Sequence, residues 1–346
     1  MNPQPTIARS FHGDSSAPTG GPPAASPPFV SYNFQFAKVA ALFAVIAGHF
    51  AQAHWHPWSA FLWIPAQVGL AVFGFSSGYF SALRYREGFS LQAFWRAKIP
   101  RLLAPLLVAD VFLISILLVQ GRENVLHWHS LPALLGLNGV FLWAQDPPQT
   151  PLGNGLWFFT LLWLFYLAFP ALEKVNRSRR TGLVTVVAAG LLALLLSYRA
   201  PLGVTFWDTA WFFLFGVFCG KHPGRVNPLQ PGILTLVGLA CIPISKFVLH
   251  TSSALPSSMM LLEIGVIGIL CTVPIPRWGS RFVLAASALL FEMYLIHTYL
   301  FVPPTTGSLA ADFLLSLVLI VCMASILMVA GRALGKKIQL PNPGRA

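Results

Sequence analysis

Residues 34–50 read FQFAKVAALFAVIAGHF. The stretch is apolar except for Gln35, Lys38 and His49, and with its flanks it is long enough to cross most of a bilayer. Lys38 and His49 are eleven residues apart. On an α-helix that spacing is about three turns and ~16.5 Å of rise, so both lie on nearly the same face. A helix facing only lipid would not carry them, because a charge at the bilayer centre costs about 2.5–3.5 kcal/mol even on the mild insertion scale. Two readings stand. In one, Lys38 snorkels to the inner interface and His49 satisfies a hydrogen bond between helices. In the other, both face a wet interior and are functional.

The rest of the chain agrees with a membrane segment. Of 346 residues, 56% are hydrophobic and only 9% charged, against roughly 25% charged in a soluble domain. The fold class expected is an all-α, polytopic membrane protein, surrounded by membrane lipids. The net charge of +12 does not imply a nucleic-acid partner. The basic residues sit in loops between apolar runs, which is how topology is encoded. Cys219, Cys241, Cys271 and Cys322 fall inside predicted spans with no CxxC pair, so they are expected to be free thiols.

Residues 1–31 are rich in Pro, Ser, Gly and Ala, lack an apolar run and read as a disordered cytoplasmic tail. A ten-helix domain is expected over 32–334 and a short cytoplasmic tail over 335–346. The spans are placed at 34–53, 61–83, 102–120, 155–172, 182–198, 205–220, 231–249, 257–275, 282–302 and 308–330. With both termini inside, the inner loops hold 17 basic residues and the outer loops only Arg122, Arg199 and Lys246, as the positive-inside rule requires. The stretch 131–145 is read as a short interfacial or re-entrant piece of an outer loop. If it crossed, the run Arg177–Arg180 would move outside and the charge alternation would fail.

Further polar groups lie where lipid would forbid them. Residues 69–80, GLAVFGFSSGYF, place Gly74 and Gly78 one turn apart beside Ser76 and Ser77. Gly216 and Gly220 form a second such pair. Both pairs read first as close helix–helix contacts. Residues 94–105, FWRAKIPRLLAP, gather Arg96, Lys98 and Arg101 in what reads as an inner loop shaped by Pro100 and Pro105. Positive-inside signalling accounts for these cations; a phosphate clamp is the functional alternative. Trp157 opens an aromatic segment at the outer side. Residues 287–301, SALLFEMYLIHTYLF, bring Tyr294 and His297 within one turn, with Glu292 on another face. Asp110 and Glu263 are two more acids inside spans, and the sequence does not say which base either one meets. The HWH pairs at 54–56 and 127–129 lack a third ligand at metal spacing, so no metal is expected.

Taken in order, these stretches resemble the membrane-bound acyltransferase family 3, over roughly residues 34–330. The features are a basic residue, ten intervening residues and histidine (Lys38, His49); the FFxxSGF-like run at 73–80; the basic Lys98-Ile-Pro-Arg101 run; Leu156-Trp157-Phe158; and YLIH at 294–297. A lysine followed by a closing Gly48-His49 is similar to the branch of fucose 4-O-acetylases and exopolysaccharide O-acetyltransferases. The resemblance implies an enzyme of the bacterial cytoplasmic membrane. It would move acetyl from acetyl-CoA to a hydroxyl of a cell-surface glycan or a lipid-linked oligosaccharide precursor, with a polysaccharide-synthesis complex as a partner. It implies His49 as general base and Lys38 along the donor channel. Arg96, Lys98 and Arg101 would lie on the acetyl-CoA phosphates, with Ser77, Trp157, Tyr294 and His297 around the acceptor. Two other classes remain open on sequence: a proton-coupled transporter using Lys38, Glu263, Glu292 and His297, and a non-catalytic membrane subunit.

Overall fold

A computed structural model of the chain describes residues 28–338, apart from 58, 144–149, 200–202, 225, 249–254 and 278. Most of the expected N-terminal tail and residues 339–346 of the C-terminal one lie outside the described residues. Among the described residues every regular element is helical. The long helices are α1 (Pro28–Ala53), α2 (Ser59–Arg84) and α3 (Leu91–Val119), two short ones follow as α4 (Ser130–Leu134) and α5 (Gly139–Trp143), then α6 (Trp157–Val175), α7 (Arg179–Arg199), α8 (Gly203–Lys221), α9 (Leu229–Pro243), α10 (Leu255–Thr272), α11 (Ser280–Ile296) and α12 (Leu309–Ile338). Eight of these are long and apolar enough to cross a membrane. The other long helices among the described residues are α8, with 19 residues, and α9, with 15 residues, which continues through a π turn at Ile244–Val248. The helices α4 and α5 have five residues each, about 7.5 Å of rise, and cannot cross. They form the short piece expected over 131–145.

Hydrogen bonds and ring contacts mark the two ends of the bundle. At one end Asn33, early in α1, donates to the carbonyls of Leu270 and Val273 at the end of α10. Lys221 at the end of α8 reaches Tyr85 O at 3.0 Å and Glu173 at 2.9 Å, and Arg277 lies over the Tyr32 ring. At the other end His54 contacts Val302 O, while Tyr294 and Tyr299 hold the segment before α6. The first end carries Arg84, Lys98, Arg177 and Arg277, so it is called the basic end below.

The centre of the bundle is α1, flanked by α2, α11 and α10. On one side α2 leans on α8, which carries α7; on the other α11 leans on α3 and α12. The most extensive helix–helix packing is between α2 and α8, with glycines of both helices at the seam. A Cβ on Gly74 would stand 2.7 Å from Thr209 O, and one on Gly220 2.6 Å from Tyr79 O. Gly78 and Gly216 face Phe213 O and Phe75 O in the same way. Without water to drive apolar association, backbone proximity and dispersion hold such a seam.

One sequence expectation is corrected. Residues 94–105 are not a loop but the first turns of α3, with Pro100 and Pro105 inside the helix. Ser90 caps its start, accepting from Ala93 N, and Phe94 anchors it by stacking on Phe169 at 5.0 Å. The cost of two interior prolines is offset by this packing. At 29 residues, α3 is about 43 Å long, so its first turns extend past the hydrocarbon.

Candidate active site

The helical start of α3 decides which cations meet. Lys98 and Arg101, three residues apart, share a face; Arg96 points elsewhere. The Lys98 ammonium donates to Ser81 Oγ at 3.2 Å and lies 4.3 Å from the centre of the Tyr166 ring, a cation–π arrangement. Lys98 is within Coulomb range of Arg101, Arg84 and Lys38, and Lys38 within that of Arg101. Lys38 itself lies over the Phe80 ring at 5.8 Å. Arg84 and Arg101 are exposed, Lys98 and Lys38 half-buried, so the charge runs from solvent into the bundle. The ion pairs among the described residues are those of Glu173 with Arg177 and Lys221. None serves this cluster. Four gathered cations repel one another unless an anion joins them, and fixed guanidinium and ammonium groups suit phosphate oxygens. Arg84 is the member that sequence reasoning missed. As one of several basic residues at span ends it carried no separate signal.

Three turns along α1, His49 meets His297. Their ring centres are 5.3 Å apart with the planes at 51°. His297 is fully buried, and its Nδ1 lies 2.7 Å from Tyr294 O. His49 is half-buried. The segment before α6 is stapled over this end. Tyr294 donates its hydroxyl to Gly155 O at 2.8 Å, Thr298 to Asn154 O at 3.0 Å, and Tyr299 to Pro151 O at 3.0 Å. Trp157 stands half-buried at the first turn of α6. Its neighbour Phe158 packs edge-on against Tyr294.

A stripe on α2 joins the two places. Phe73, Ser77, Ser81 and Arg84 fall at i, i+4, i+8 and i+11, on one helix face. Phe73 packs near Phe158 at the histidine end, and Ser81 holds Lys98 at the basic end. Half-buried Ser77 lies between them.

The remaining intramembrane acids lie elsewhere. Asp110 is close to Tyr299. Glu263 is near Asp208 and Gln67, and Glu292 is within Coulomb range of Arg332. Among the described residues no group of three His, Cys, Asp or Glu could hold a metal, and the four cysteines are free.

A membrane bundle with an unpaired cationic cluster at one end and a packed imidazole pair at the other is equipped to bind an anionic donor and deprotonate an acceptor. A family model described as an acyltransferase domain matches residues 31–333. The chain therefore belongs to acyltransferase family 3 and is an integral membrane acyltransferase. No curated protein and no solved structure matches it.

Proposed function

We propose that the protein is an O-acetyltransferase of the bacterial cytoplasmic membrane. It takes acetyl from acetyl-CoA at the cytoplasmic side and passes it to a hydroxyl of a cell-surface polysaccharide or its lipid-linked precursor. The observation that carries this is the separation of two chemistries along α1. Lys38 stands among unpaired cations and His49 beside His297, about 16.5 Å apart along the helix. Lys98, Arg101 and Arg84 hold the donor phosphates at the basic end, with Arg96 nearby in sequence. Lys38 and the α2 stripe line the path of the extended pantetheine arm. His49 accepts the proton of the acceptor hydroxyl on a ring nitrogen that keeps its lone pair. Ser77, Trp157, Tyr294 and His297 shape the acceptor side, Tyr294 by holding the covering segment in place.

A transporter relay gains no support from this arrangement. Its four residues are dispersed: Lys38 is at the basic mouth, Glu263 beside Asp208, Glu292 toward Arg332 and His297 beside His49. The test is the glycan composition of a strain lacking the gene. Surface glycan made in normal amount but without acetyl esters supports the acetylase. Missing glycan with unchanged acetyl content per sugar supports export, and unchanged glycan refutes both.

A further inference from the structure

His297 closes α11 and opens the 3-10 turn His297–Tyr299. Its Nδ1 lies against the Tyr294 carbonyl. A carbonyl only accepts, so Nδ1 carries a proton. In the neutral ring that leaves Nε2 as a bare lone pair. This nitrogen is buried and has no partner, a state that costs about 1–3 kcal/mol. The rings of Tyr294 and Phe301 pack around it, and the Tyr294 hydroxyl is already committed to Gly155 O. Among the described rings that contact His297, the one left to supply an N–H is the imidazole of His49. The torsion that turns an imidazole ring is broad. At a centroid separation of 5.3 Å, two imidazoles turned nitrogen to nitrogen stand about 3 Å apart, within hydrogen-bond reach.

We infer that His297 is a positioning residue that sets the tautomer of His49. One ring nitrogen of His49 donates its N–H to His297 Nε2; the other keeps its lone pair and faces the acceptor hydroxyl. The inference rests on the transfer reaction proposed above. His297 occupies the place that a carboxylate holds beside the imidazole of a serine hydrolase. The described intramembrane acids Asp110, Glu263 and Glu292 have other neighbours, as set out above. In the reaction the acceptor O–H proton passes to the free nitrogen of His49, and the oxygen bonds to the acetyl carbonyl carbon. The thioester C–S bond then breaks, and His49 returns the proton to the departing CoA sulfur, leaving ester and thiol. The N–H to His297 persists throughout, so the transient imidazolium is held in one orientation. The Tyr294 carbonyl holds His297 in turn.

The experiment uses inside-out membrane vesicles from the native host with variants at matched protein level. Radiolabelled acetyl-CoA is added, and alkali-labile ester label is followed against donor concentration. His297→Leu removes the acceptor, and kcat is expected to fall about a hundredfold with donor KM unchanged. His297→Gln presents an amide oxygen that accepts an N–H, and most of the rate is expected to return. His49→Ala gives no label. A wild-type kcat in His297→Leu overturns the inference, as does equal loss in the Leu and Gln variants; both leave the acetylase reading intact. Normal labelling in His49→Ala overturns that reading itself. Should His297→Leu fail to insert, nitrogen NMR of wild-type protein labelled at histidine decides. A protonated Nδ1 and a hydrogen-bonded, unprotonated Nε2 on His297 are expected, and a protonated Nε2 contradicts the assignment.

Discussion

Lys98 shows why single cations in this chain are not interchangeable. Its ammonium is held between the Ser81 hydroxyl and the Tyr166 ring, so its charge is fixed in place and left without a carboxylate. Arg101 shares its helix face, and Arg84 completes the cluster from α2. Replacing Arg101 or Arg84 with Ala should therefore raise the acetyl-CoA KM about tenfold, each removing one charge-assisted phosphate contact. Arg96→Ala, on another face of α3, should raise it less. Titration of donor binding to purified variants checks all three, and an unchanged affinity for Arg101→Ala would return the cluster to a topology signal. At His49 the expected outcome is sharper. His49→Gln keeps a hydrogen bond but takes no proton near neutral pH, so acetylation should fall by about 10²–10⁴-fold while membrane protein level holds. The gathering of Arg96, Lys98 and Arg101 was legible in the sequence, but which of them share a face was not, because the run read as a loop. The pairing of His49 with His297 was not legible either, because it depends on how α1 and α11 pack across most of the chain.

Among the elements, α2 carries the most constraints. One face is a glycine seam against α8, another the stripe that joins the two ends of the site. Gly78→Leu should push α8 away, because a Cβ at that position meets the Phe213 carbonyl, and folded protein in the membrane should fall severalfold. Gly88→Ala, with open space around it, is the matched control and should leave the level unchanged; equal losses would remove the packing argument. The seam was readable from the Gly74–Gly78 and Gly216–Gly220 pairs, since small residues one turn apart have few other uses in a span. The start of α3 was not. Pro100 and Pro105 argued for a loop, while the Ser90 cap and the tertiary anchoring of Phe94 on Phe169 favour the helix that forms. The segment before α6 is a third element with a specific test. Tyr294→Phe deletes its hydrogen bond to Gly155 O, worth about 1 kcal/mol. Proteolytic nicking between α5 and α6 should become faster in that variant, and an unchanged rate would mean that the staple does not hold the segment.

For the whole molecule, composition and loop charge were enough to read a polytopic helical bundle, because lipid leaves few alternatives to the helix. The direction of transfer is a property of the same scale. The cationic cluster lies at the basic end and the imidazole pair near the other; on the proposed function the positive-inside rule would turn the basic end to the cytoplasm. Cysteines introduced at 174–180 should react with impermeant reagents only from the cytoplasmic side; labelling from outside would undo the ten-span topology. On the proposed function donor enters at one face and ester forms at the other. The most direct measurement compares sealed inside-out and right-side-out vesicles of the native host, each given labelled acetyl-CoA in the external medium. Rapid ester labelling is expected in the inside-out vesicles, lost in His49→Gln, and essentially none in the right-side-out ones. Equal labelling from both sides, or labelling that survives His49→Gln, would contradict the proposed function.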